Sequence, residues 1–191
     1  MPILNSVRGN IGVTGFNSGL LVKGYNSIST ITLGTATSFV EFTNIPQTYT
    51  HLQIRAIGRN SAGGGYDTYL QFNGATTAVY SYHYLYSTGS GAVTAGVDTT
   101  QGFTIGLRLT TPGETANNFG TGVIDILDYK NTNKFKSVRT LSGFNNNGGG
   151  FCWQTSGNWR STSPITSLKL IASASGNFAV NSSFALYGIE G

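Results

Sequence analysis

From Ser29 to the end of the chain, apolar and polar residues alternate in short runs broken by turn residues, the two-residue period of half-buried strands. In HLQIRAI, Leu52, Ile54 and Ala56 fall on one face while His51, Gln53 and Arg55 fall on the other. Strand-length runs rich in β-branched or aromatic residues also cover 37–43, 69–72, 79–86, 103–109, 121–127, 135–141, 165–172 and 183–189. Asn73-Gly74 between two of these runs predicts a two-residue type I′ hairpin, because this pair tolerates positive φ at both central positions. The Gly-rich stretches 62–65, 88–91 and 145–150 predict longer loops. No helical segment is present to make parallel crossovers. The predicted fold is all-β, an antiparallel β-sandwich of jelly-roll type.

Residues 1–28 read differently. Glycines at 9, 12, 15, 19 and 24 stand among single apolar residues, so no period develops. This predicts an extended N-terminal arm, with the sandwich occupying 29–191. Fully extended, such an arm reaches on the order of 90 Å, enough to cross a neighbouring subunit. Ile3, Leu4, Val7, Ile11, Phe16, Leu20 and Leu21 make it too apolar for a free linker. Its apolar residues either anchor it to a partner or cover its own domain.

Composition narrows the classes. Of 191 residues only 9% are charged, 27 are Gly and 39% are hydrophobic. Coiled coils and helical bundles want Glu, Lys and Ala on their exposed faces, and disordered chains want high charge with little apolar content. Cys152 is the only cysteine, so an intrachain disulfide is excluded. A net charge of +4, with basic residues spread from Arg8 to Lys169, does not imply nucleic acid. The start MPILNSVRGN lacks a signal-length apolar run, and the chain has no stretch long enough to span a membrane. The expectation is synthesis in the cytosol without an export signal.

Little in the chain points to catalysis. His51 and His83 are the only histidines, and no G-x-S-x-G nucleophile elbow accompanies them. Asp125 and Asp128 are the closest carboxylate pair, but on a strand they point to opposite faces, against the convergent pair that glycoside hydrolysis needs. Their expected role is ion pairing with Lys130, Lys134 or Arg139. Zinc spacing and an EF-hand loop are absent, which leaves only carbonyl and side-chain oxygens of the Asn-rich loops for a calcium ion. No cofactor is expected. Alternation places Lys134, Lys136 and Val138 on one face and Arg139 on the other, which reads as a solvated hairpin or else as a contact for an acidic partner surface or a polyanion.

Aromatic residues offer a binding surface instead. In VYSYHYLY, Tyr80, Tyr82, Tyr84 and Tyr86 share one strand face, and Trp153 and Trp159 flank an apparent turn in FCWQTSGNWRS. Such rings either fill a core or subunit contact or stack against a host-surface glycan.

The phrases HLQIRAIGRN, YLQFNG, DYKNTNKFKSVRTLSG and WRSTSPITSLKLIASASGNFAVNSSFALYGIEG, spread over roughly residues 29–191, resemble short β-rich virion structural proteins of tailed bacteriophages, especially marine and cyanobacterial phages. PILNSVRGNIGVTGF is similar to the Gly-rich starts of some phage fibre-like proteins. The resemblance implies a non-enzymatic capsid-decoration or tail-fibre protein located in the virion. It carries no active-site residues. Its partners would be other virion proteins of capsid or tail, met through the arm, and further copies of itself. Analogy with threefold virion positions favours a trimer.

Overall fold

The computed structural model describes residues 24–61, 65–89 and 91–191. It holds twelve strands: β1 (Tyr25–Thr32), β2 (Phe39–Phe42), β3 (His51–Gly58), β4 (Asp67–Phe72), β5 (Tyr80–Ser87), β6 (Thr94–Gln101), β7 (Thr104–Arg108), β8 (Gly120–Leu127), β9 (Lys136–Asn145), β10 (Gly150–Trp159), β11 (Leu168–Ala172) and β12 (Ser183–Ile189). They form an eight-stranded sheet in the order β1-β12-β3-β8-β9-β10-β5-β6 and a four-stranded sheet in the order β2-β11-β4-β7. All strand pairs within the two sheets are antiparallel. The apolar alternation explains the layering: Leu52 and Ile54 of β3, Ile124 and Ile126 of β8, and Phe184 and Leu186 of β12 are all fully buried. They meet Val40, Phe42, Leu70, Phe72, Leu168 and Leu170 of the smaller sheet in one core.

Strand β7 comes closest to the larger sheet, lying against β8, β9, β10 and β5. Small residues permit this approach. A Cβ at Gly122 would meet Leu107 Cδ2 at 2.5 Å, and one at Gly157 would meet Thr104 Oγ1 at 2.3 Å. Eight strands facing four leave β6 and the Tyr84–Tyr86 end of β5 beyond the edge of the smaller sheet.

Three strands depart from the sequence pattern. β1 begins at Tyr25, inside the expected arm, and a bulge between Ser27 and Ser29 breaks its two-residue parity. β6 is an edge strand with little burial, so it lacks an apolar face to read. In β10, Trp153 and Trp159 do not flank a turn. They lie on one face of a continuous strand, where Gly157 serves the close packing of Thr104 rather than a reversal.

Asn73-Gly74 does have positive φ at both positions, 50° and 68°. It is not a hairpin, however, because β4 pairs with β11 and β7 while β5 belongs to the other sheet. The turn moves the chain between layers, and Asn73 Oδ1 fixes it by accepting from the N–H groups of Thr166 at 2.9 Å and Ser167 at 3.1 Å.

Residues 1–23 lie outside the described residues, and with them the expected anchoring positions Ile3, Leu4, Val7, Ile11, Phe16, Leu20 and Leu21. Among the described residues no helix is long and apolar enough to cross a membrane.

Candidate functional site

The tyrosine row and both tryptophans come together on the inward face of the larger sheet. Period-two spacing places Tyr80, Tyr82, Tyr84 and Tyr86 on one side of β5, and the β10 register sets Trp159 opposite Tyr80 and Trp153 opposite Tyr86. Their surroundings change along the strand. Tyr80 and Trp159 belong to the main core, stacked with an interplanar angle of 18°. The Tyr80 hydroxyl accepts from the Phe72 N–H at 2.9 Å, and burial pushes its pKa up to about 12.

Tyr82 and Trp153 anchor a second apolar cluster with Ile105, bordered by Tyr69, Tyr84, Tyr86, Phe103 and Phe151. Burial and the carboxylate of Asp98, which accepts from the Tyr82 hydroxyl at 3.3 Å, raise the Tyr82 pKa well above that of a free phenol. Trp153 is 2% exposed. It stacks with Tyr84 at 4.5 Å and Tyr86 at 5.0 Å between ring centroids, and its Nε1 donates to Thr155 Oγ1 at 2.6 Å. The Arg108 guanidinium lies 3.7 Å from the Trp153 ring centroid while its Nε donates to Asp67 Oδ1 at 2.5 Å.

Four of the six rings thus spend their surface on packing within the subunit. Tyr84 and Tyr86 are half-buried and keep exposed ring surface, with Trp153 as their backing and Arg108, Asp67 and Asp98 as nearby polar groups. This aromatic shelf at the overhanging end of the larger sheet can stack against a planar or sugar ring, or against another protein surface. Arg108, Asp98 and Phe151 were invisible in the sequence because they meet the tyrosines across strands and between sheets. Only the strand-length run that contains Arg108 was a signal.

The carboxylate pair is engaged elsewhere. Asp125 accepts from Gln53 Nε2 at 2.7 Å on the outward face of the larger sheet. Asp128 lies in the turn after β8 with φ 50° and binds Lys134 Nζ at 2.7 Å, a hydrogen bond that lowers its pKa. The His51 ring accepts from the Asp128 N–H at 3.0 Å, and His83 stands exposed on β5. Among the described residues no group of three or more His, Cys, Asp or Glu side chains is placed to hold a metal ion.

The basic run is only partly the solvated hairpin its alternation suggests. Lys134 is exposed, but Lys136 is fully buried, and its ammonium donates to the carbonyls of Asn131, Lys134 and Thr162. The inward parity of β9 forces this position into the core, and the turn at 131–134 folds its carbonyls over the charge.

Comparison with protein-family models, curated proteins and solved structures finds no match to this chain.

Proposed function

We propose that the chain is a non-enzymatic structural protein of a tailed-bacteriophage virion, a surface decoration or fibre component built on a jelly roll. The observation that carries this reading is the strand order. β1-β12-β3-β8 in one sheet and β2-β11-β4-β7 in the other alternate as two interlocked Greek keys would, with the hairpins β5–β6 and β9–β10 inserted at one side. Viral capsid domains and lectins share that architecture. Low charge supports the role, since broad subunit surfaces are buried at little desolvation cost. The residues ahead of β1 act as the arm that meets capsid or tail, and copies of the chain assemble in the particle.

An antiserum against the full-length protein tests the proposal. Labelling of intact virions at regularly spaced positions in electron micrographs, with the chain found in their purified protein complement, is the expected result. Its absence from purified particles would reject the virion role.

A second reading, a module that binds host-surface glycan, draws support from the half-buried Tyr84 and Tyr86. On a glycan array it predicts specific binding that Tyr84→Ala and Tyr86→Ala both abolish without loss of fold. Turnover of bacterial polysaccharide would overturn both readings in favour of a hydrolase.

A further inference from the structure

Among the described residues, the smaller sheet covers only the inward face of the larger one, and no strand packs against its broad outward face. Of ten exposed large hydrophobic residues among the described ones, six point outward from it: Tyr25, Ile57, Leu85, Val97, Leu127 and Leu141. Register aligns Arg55, Val123, Leu141, Gln154, Leu85 and Ala95 as one row across six neighbouring strands. Arg55 is the exposed cation of this row and is held by its neighbours. It lies over the rings of Tyr25 at 4.8 Å and Tyr187 at 5.4 Å, and its Nε donates to Gln53 Oε1 at 2.8 Å. A groove of ≈ 700 Å³ bordered by Ile57, Val123 and Leu141 runs over Gly143 and Cys152.

Exposed apolar residues gathered on one sheet face mark an interaction surface. Eight strands about 4.8 Å apart and four side-chain rows about 6.7 Å apart give a face of roughly 700 Å², close to the ~800 Å² that each partner contributes to a stable complex. Two of its charges suit a symmetric partner. Asp125 and Arg139 are paired in register on β8 and β9, and no ion pair joins them within the subunit. A second copy turned about a twofold axis brings its own Asp125 and Arg139 to the same place with the sign order reversed.

We propose that the occupant of this face is a second copy of the chain, packed sheet to sheet around Leu141. This goes beyond the virion reading and holds whether or not that reading does.

Sedimentation of the full-length protein over a range of concentrations, with the rate of Cys152 modification by a maleimide, tests the proposal. The expected result is a dimer or a multiple of it, with Cys152 shielded. Leu141→Asp should weaken association at least about 100-fold and expose Cys152. Leu85→Asp, at an independent position of the same face, should act alike, and Val180→Asp, on a loop elsewhere, should do neither. Leu141 is 57% exposed, so a cooperative melt and an unchanged circular dichroism spectrum are expected for Leu141→Asp. If both aspartate variants failed to fold, shielding of Cys152 that tracks association in the wild-type protein would carry the test. A monomer with reactive Cys152 overturns the proposal, as does an oligomer indifferent to Leu141→Asp. A monomer with Cys152 shielded also overturns it and assigns the face to residues 1–23 of the same chain.

Discussion

Tyr84 lies across Gly96 of the neighbouring strand, so closely that a Cβ at Gly96 would stand 2.4 Å from the tyrosine hydroxyl oxygen. The missing side chain is what lets the ring lie along the sheet and stack on Trp153. Gly96→Ala must therefore swing Tyr84 outward and open the stack. The expected cost is about 1 kcal/mol, the worth of an aromatic pair beyond its buried area. Urea unfolding with a double-mutant cycle checks this. In a Tyr84→Ala background the alanine at 96 should cost almost nothing, and equal costs in both backgrounds would reject the coupling.

Arg108 joins the same cluster from the other sheet. Its guanidinium meets Asp67 with one edge and covers Trp153 with its plane. Lysine keeps the charge but has neither a plane to stack nor a fork to bond. Arg108→Lys should therefore destabilise by about 1 kcal/mol and alter tryptophan emission as Trp153 loses its cover. Unchanged emission and an unchanged urea midpoint would show that the plane is immaterial.

The strands that were legible in the sequence are those with one buried face. β3, β5 and β12 alternate because their inward residues meet the core, and nothing interrupts their parity. β1 escaped notice through its bulge, β6 through its place at the sheet edge, and β10 because Ser156-Gly157 has the composition of a turn. The Gly157 contact is made by Thr104, more than fifty residues away, and local pattern cannot report it. The candidate site was half legible for the same reason. Spacing put four tyrosines on one face, but which of them kept surface depended on where the edge of the smaller sheet falls.

The buried phenols set the alkaline limit. Burial is the leading cause that raises the pKa values of Tyr66, Tyr69, Tyr80, Tyr82 and Tyr129, with nearby carboxylates adding to it at Tyr66, Tyr69 and Tyr82. Above about pH 10 the unfolded chain ionises these groups while the folded one holds their protons, so the folded state binds more protons and stability falls as pH rises. Lys136 works in the opposite sense, since its pKa is lowered and its penalty, full at low pH, is relieved as pH rises toward 10.5, but it is one group against five. Melting temperature should therefore decline from about pH 10 upward. Absorbance at the phenolate band should show a late fraction of tyrosines that titrates together with unfolding. A single smooth titration of all tyrosines near pH 10 would reject the burial account.

Lys136 gives the last expectation. A lysine with no exposed surface is tolerable because its ammonium bonds three main-chain carbonyls, two of them in the turn at 131–134. Lys136→Met keeps the aliphatic stem and packing but leaves those carbonyls without a donor, at a cost of roughly 1–3 kcal/mol. It also removes a buried charge, which by itself is favourable. The two effects separate with pH. If the lost donor dominates, Lys136→Met melts below the wild type at pH 7 and the turn amides of 131–134 lose protection from hydrogen exchange. If desolvation of the charge dominates, the variant is the more stable at pH 7 and its advantage shrinks toward pH 10 as the wild-type ammonium loses its proton. The number of carbonyls that the ammonium satisfies favours the first outcome, and unchanged exchange in the turn would refute it.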